Sequence, residues 1–259
     1  MRIQRVKSKW AKTQVMQKSD YLRQFMPETR LFNRGNLQAM IETYGMVYVK
    51  PIHGTYGNGV CRVERTTAPA FGYRYQIGKK VQFFPTFEQL YQSLAVRQKR
   101  NSRHIVQKGI HLLRHQKRRF DIRVMVQKNL QDEWEATGII GRLGHPRKIV
   151  TNYHSGGTPM AIERLMSDHT NASELAAFKT RLRKLSVAIA NNLQTAYPNI
   201  KEIGVDIAVD TRLFPWVLEV NTYPDPFIFR KLSDPGIFQK MYRYAVAYGR
   251  FERKRSSRP

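Results

Sequence analysis

Two apolar segments near the C-terminal end carry oxygen-bearing side chains where they are costly to bury. Residues 202–210 read EIGVDIAVD and residues 215–221 read PWVLEVN, joined by the short turn TRLF. Both segments suit strands, and a turn this short makes them an antiparallel pair. That pairing can set Asp206 beside Glu219. Glu219 and Asn221 are two residues apart, so they share one sheet face. Val205, Ile207, Leu218 and Val220 are then expected on the other face, in the core. Two carboxylates brought together on apolar strands need a compensating cation. A divalent metal with oxygen ligands would serve, since Mg2+ takes one or two carboxylates plus substrate phosphates. Plain ion pairs with nearby arginines would serve as well, and the residues alone leave both open.

The rest of the chain builds toward that pair in two α+β blocks. The stretch KSKWAKTQVMQKSDYLRQFM has helix-spaced apolar residues and should stop at Pro27. NLQAMIETYG is a short helix closed by Gly45. MVYVKP, VCRVER, YRYQIG and HIVQKGI read as strands, and TFEQLYQSLAVRQ as a helix capped by Thr86. Further on, FDIRVMVQKN and WEATGIIGRLG read as alternating strands, and residues 145–160 as a long polar loop. The longest amphipathic helix runs from residue 172 to 195, with Leu175, Phe178, Leu182, Leu185, Ile189 and Leu193 on one face. A final helix covers FQKMYRYAVAYG. The expected organisation is an N-terminal helical segment 1–45, a small lobe 46–108, a large lobe 109–250 and a basic tail 251–259.

Charge narrows the partners. Lys and Arg number 45 against 19 Asp and Glu, a formal net charge of +26 over 259 residues. Such a chain attracts polyanions, whether nucleotide phosphates, acidic polymers or nucleic acid. Residues 97–119 hold Arg97, Lys99, Arg100, Arg103, Lys108, Arg114, Lys117, Arg118 and Arg119 with no acid among them, and RFERKRSSRP closes the chain. These clusters lack the interleaved aromatics of single-strand binders, so nucleic acid is a poor fit. No apolar run is long enough for a membrane span, and the basic N-terminus lacks a signal's apolar stretch, so the expectation is a cytoplasmic protein without a membrane partner. The single cysteine, Cys61, lies in an apolar alternation and is read as a small buried residue.

A second group of residues bears on phosphates. Lys50 ends the strand MVYVK and leads into HGTYGNG, where Gly54, Gly57 and Gly59 let the backbone approach an anion. No Gly-Lys-Ser/Thr follows, so this is not a Walker A loop. By itself it is equally a tight hairpin turn. The seven histidines are scattered, and no nucleophile with a neighbouring base stands out.

The order and spacing of KSKWAKTQVM, MPET, VYVKPIHGTYGNGV, IVQKGI, FDIRVMVQKN, IIGRLGHPRKIVTNYHSGG, GVDIAVD and VLEVNTYPDP resemble the ATP-grasp superfamily. The resemblance is greatest to its YheC/YheD branch of spore-coat-associated proteins, and it covers nearly the whole chain. It implies two α+β lobes with ATP between them and ATP and Mg2+ as cofactors. It also implies a ligase in which a carboxylate attacks the γ-phosphate and an amine or similar nucleophile displaces phosphate from the acyl-phosphate. By the same resemblance Lys12 and Lys50 contact the phosphates, and Gly54 to Gly59 form a flap over them. Gln107, Lys108, Gly109 and Ile110 form the hinge facing adenine, with Gln107 where many relatives have an acid. Arg123 and Arg142 face the transferred phosphate, Asn152, Gly156 and Gly157 line the substrate side, and Asp206, Glu219 and Asn221 hold Mg2+. The further α/β domain that usually precedes the first lysine is not evident here, which puts the acceptor pocket in question. The partners implied are an unidentified carboxylate or acidic substrate and spore-coat components. A non-catalytic nucleotide-binding or structural coat protein is the alternative, and a polyanion binder the third reading.

Overall fold

The structure, a computed structural model, describes residues 3–55, 57–67, 70–97 and 103–252. The first helical stretch is not one helix. α1 (Lys9–Gln17) and α2 (Asp20–Arg23) are separate, because the Ser19 hydroxyl accepts from Leu22 N and starts a new turn there. β1 (Thr29–Leu31) and α3 (Arg34–Tyr44) follow, then β2 (Met46–Pro51), β3 (Cys61–Arg65), β4 (Tyr73–Ile77) and β5 (Lys80–Phe84). α4 (Phe87–Arg97) starts where Thr86 Oγ1 accepts from Gln89 N, and β6 (His104–Lys108) completes the first sheet.

That sheet is antiparallel in the order β1-β6-β2-β3-β4-β5. One face packs under α3 and α4 through Leu37, Ile41, Val47, Val49, Leu90 and Val106. Cys61 lies in this core, 2% exposed. Strand alternation sends Tyr48 and Lys50 to the other face, which fronts the cleft.

The second lobe holds β7 (Arg114–His115), β8 (Arg118–Lys128), β9 (Trp134–Leu143), β10 (Thr158–Met160), α5 (Ile162–Met166), α6 (Ala172–Ala196), β11 (Glu202–Val209), β12 (Pro215–Asn221) and α7 (Pro235–Ala247). The sheet order is β10-β9-β8-β11-β12, with β7 hairpinned onto β8. α6 begins with a capping box between Asn171 and Glu174 and packs its apolar stripe on the sheet. β8 is buried on both faces along most of its length. Phe120, Ile122, Val124 and Val126 face α6, while Met125 on the opposite face packs with Phe229 and Met241 of the C-terminal elements. That second face is core at one end and cleft at the other, where Asp121 and Arg123 stand.

The N-terminal segment expected over 1–45 is divided, in its described residues, between the two lobes. Met16, Leu22 and Phe25 pack into the large lobe, whereas β1 and α3 belong to the small one. Apolar burial divides the segment, because each helix covers the nearer sheet face. The polar stretch 145–160 holds a 3-10 turn at Tyr153–Ser155 and then β10. No helix among the described residues is long and apolar enough to cross a membrane.

Candidate functional site

A cleft of about 970 Å3 lies between the two sheets. Its large-lobe wall is built by register. Asp206 on β11 is directly opposite Glu219 on β12 and Arg123 on β8, and Asp121 on β8 is opposite Arg142 on β9. The ladder slips between Asp206 and Ile207, so Ile207 pairs with Val217. Val217 therefore enters the core in place of Leu218, and Leu218 lines the cleft, contrary to simple alternation.

The Asp206 carboxylate is 5% exposed and takes both oxygens to guanidiniums. Oδ1 accepts from Arg123 Nε, and Oδ2 accepts from Arg123 Nη2 at 3.0 Å and lies 3.1 Å from Arg142 Nη2. Arg142 also grips Asp121 in two-pronged fashion, with Nε at 2.9 Å from Oδ1. Burial alone would raise the Asp206 pKa, but Arg123 and Arg142 outweigh it and hold the group below its ordinary value. Burial would lower that of Arg142, and Asp121 and Asp206 reverse this. Gly204 makes the arrangement possible: a Cβ there would lie 3.1 Å from Arg123 Nη1 and 2.8 Å from Pro224 Cβ. Glu219 is freer. Its side chain is 25% exposed and meets Lys9 Nζ at 3.4 Å.

Lys12 and Lys50 approach from α1 and β2. Lys12 is 4% exposed and donates to Val6 O at 2.8 Å, and Lys50 donates to Gln107 Oε1. Burial pulls both pKa values from 10.5 to about 8, against the attraction of Glu219. Gln107 in turn donates to Thr29 Oγ1 at 3.1 Å, so its amide is held from one side and fixes a lysine on the other. Lys9, three residues before Lys12, ties Gly54 to the large lobe by donating to Gly54 O at 2.7 Å while it faces Glu219. Helical spacing puts it on the Lys12 face, a signal that sequence reading overlooked, and the spacing of Asp121 from Arg123 on β8 was a second.

The remaining expected residues divide. Gly54 and Gly57 line the cleft. Gly57 has φ +76, and a Cβ there would be 3.2 Å from Asn152 Oδ1 and from Val150, so at this point the glycine-rich loop abuts the β9–β10 loop. Gly59, Gly156 and Gly157 are not lining residues. Gly156 ends the 3-10 turn, and Gly157 N donates to Asn152 O at 3.1 Å, so both shape the loop that presents Asn152. At the hinge, Lys108 N donates to Glu28 O at 2.8 Å and Gly109 N to Met46 O at 2.9 Å. These amides serve the fold, and of the four hinge residues Gln107, Lys108 and Ile110 line the cleft while Gly109 does not. The Lys108 ammonium lies over the rings of Tyr44 and Trp216. Residues Lys99, Arg100 and 253–259, parts of the two basic stretches, lie outside the described residues.

The donor set suits a nucleotide triphosphate with a divalent cation. Glu219 and Asn221 present oxygens to the cleft, and a carboxylate such as Asp206 has lone pairs to share with a cation beside its guanidiniums.

A family model for YheC/D-like ATP-grasp domains matches residues 4–251. The chain belongs to that family. It is 26% identical over 229 residues to the endospore coat-associated protein YheD of Bacillus subtilis (strain 168), covering 86% of this chain and 49% of that protein. It is 22% identical over 223 residues to YheC of the same strain, covering 83% and 59%. The chain thus spans about half the length of these curated relatives. Among solved structures it is similar to D-alanine–D-alanine ligase from Bacillus anthracis complexed with ATP. That match has a TM-score of 0.55 at 16% identity over 94% of this chain and 66% of the other. The fold is therefore the α+β ATP-grasp fold.

Proposed function

We propose that this ATP-grasp chain is an ATP-dependent ligase joining a carboxylate to an amine or similar nucleophile. The observation that carries the reading is that one cleft is lined by Lys12 and Lys50, whose pKa values burial lowers to about 8, and by Glu219 and Asn221. Buried ammoniums of this kind gain most from an anion, and a triphosphate supplies one. Mg2+ held by Glu219, Asn221 and Asp206 would neutralise charge on the β- and γ-phosphates.

The chain's own groups position the rest. Lys12 and Lys50 anchor the phosphates, and the Gly54 to Gly57 backbone covers them. Leu218 and the hinge residues Gln107, Lys108 and Ile110 accept the base. The substrate carboxylate attacks the γ-phosphorus, ADP leaves, and the nucleophile then displaces phosphate from the acyl-phosphate. Arg123 faces the transferred group. Arg142, spent on two carboxylates, is a positioning residue, and Asn152 flanks the acceptor side. By analogy with the named relatives, the protein acts in association with the spore coat.

Calorimetric titration of ATP, with and without Mg2+, tests this in the wild type and in Glu219→Ala. Magnesium-dependent binding that the variant loses is expected, followed by ADP release on a panel of carboxylates and amines. Absence of binding to the wild type overturns the reading. A non-catalytic nucleotide binder is the second reading, favoured by the engagement of both Asp206 oxygens with arginines. It predicts binding with no ADP release against any acceptor.

A further inference from the structure

The hairpin of β7 and β8 forms one lip of the cleft and carries charge that the protein leaves uncompensated. Arg114, Lys117, Arg118 and Arg119 all line the opening, with Lys148 beside them. Arg118 is fixed by carbonyls, donating to Gly144 O at 2.9 Å. Arg119 is half-buried, and burial together with the like charges of Arg62 and Arg114 lowers its pKa against the opposing pull of Tyr48 and Glu64. The acids nearby have other partners: Glu64 pairs with Arg62 and Arg74, Asp121 with Arg142, and Asp168 lies 3.3 Å from His115 of β7. Among the described residues, Arg114, Lys117 and Arg119 make no ion pair. Guanidiniums crowded together at a cleft mouth repel one another, and a bound anion relieves this.

The turn supplies a second observation. Gln116 and Lys117, at the tip, have φ of +48° and +62°. Two successive left-handed residues make the turn that Asn-Gly favours. Neither Gln nor Lys is suited to it, and such strain commonly persists where a side chain is needed. Here it keeps an ammonium at the lip.

We infer that this hairpin is a docking site for the acidic substrate itself, a polypeptide or polymer carrying several carboxylates. The inference deepens the ligase reading and rests on it for the word substrate. The row of cations leads from the open lip toward Arg123, so further carboxylates on one chain would hold the reacting carboxylate at the inner end. A single-stranded nucleic acid fits less well. The aromatic rings Tyr223, Phe227 and Phe251 at the cleft each have a guanidinium of this chain over one face, from Arg5, Arg230 and Arg250, where a base would stack.

The test uses the full chain and a labelled ten-residue polyglutamate peptide, with polyglutamine and an oligothymidylate as comparisons, read by fluorescence anisotropy at about 50 mM salt, where charge is weakly screened. Polyglutamate should bind and polyglutamine should not. Arg114→Glu with Lys117→Glu should weaken polyglutamate at least about tenfold and leave ATP affinity unchanged. Gln116→Asn with Lys117→Gly should keep or raise the melting temperature and still weaken the peptide. That split excludes a merely structural role for the hairpin. Polyglutamate affinity unaltered in both variants overturns the proposal, as does tighter binding of oligothymidylate. If the peptide binds as expected but ATP does not, the ligase reading falls and the acidic-chain site stands.

Discussion

On the large-lobe wall of the cleft, Asp121 and Asp206 each meet guanidinium groups in the fold itself. On the facing wall Lys50 donates to the amide oxygen of Gln107 and lies over the Tyr48 ring, and on α1 Lys12 donates to a backbone carbonyl; among the described residues neither makes an ion pair. Both walls are buried, yet one is neutralised and the other is not. A carboxylate between two arginines is part of the scaffold, because removing any member strands a charge. A lysine pushed toward neutrality is a site waiting for an anion. The difference locates where stability is held and where binding energy is available, and each can be disturbed without the other.

The sharpest break is Arg142→Leu. It leaves Asp121 without its guanidinium and Asp206 with Arg123 alone, inside a wall where both acids are at most 5% exposed. Stranding buried charge costs about 3–5 kcal/mol. Urea unfolding followed by tryptophan fluorescence should show a loss of that size. A loss below about 1 kcal/mol would mean that the arginines do not hold the wall together.

Gly204→Ala should cost less. Its methyl would press on Pro224 and on the Arg123 side chain, which can swing only by loosening Asp206. Overpacking of this sort costs about 1–3 kcal/mol. The same unfolding assay reads it, and a double variant with Arg123→Leu should show the two effects to be non-additive, since both act through one contact.

The lysine wall predicts a pH effect on binding. In the free protein Lys12 and Lys50 lose their protons near pH 8. A bound triphosphate favours the charged forms, so affinity for ATP should fall as pH rises above 8, by up to about tenfold per pH unit for each lysine. Titrations at pH 8.5 in buffers of different ionisation heat should show proton uptake on binding. Flat affinity from pH 7 to 9.5 would mean that the lysines do not meet the phosphates.

How much of this was legible beforehand follows the same division. Asp206, Glu219 and Asn221 stood out because carboxylates on apolar strands are conspicuous, and the two-residue spacing put Glu219 and Asn221 on one face. The neutralising arginines were harder to read. Arg123 and Arg142 came only through family resemblance, and their bond to Asp206 depends on a register across three strands that no local pattern encodes. Asp121 was overlooked beside Arg123 for that reason. Leu218 was misplaced because a bulge leaves no trace in alternation. α1 and α2 read as one helix because their apolar spacing runs on, while the break lies in the Ser19 cap. β1 and β5 were missed as well, one being three residues long and the other an exposed edge.

The smallest expected effect is on stability, for Lys50→Met, and its smallness is informative. Burial lowers the Lys50 pKa from 10.5 to about 8, so the charged form opposes folding below pH 8, and this penalty fades between pH 8 and 10.5. Methionine removes the penalty but strands Gln107 Oε1, which costs about 1–3 kcal/mol. The two terms oppose each other, and the net change at pH 7 should stay within about 1 kcal/mol. The wild type should therefore gain stability from pH 7 to 9.5 by more than the variant does, while ATP binding in the variant falls at least about tenfold at pH 7. An equal pH gain in both proteins would place the uncompensated charge elsewhere in the small lobe. A loss of several kcal/mol would show that Lys50, like Arg142, belongs to the scaffold, and the contrast between the two walls would fail.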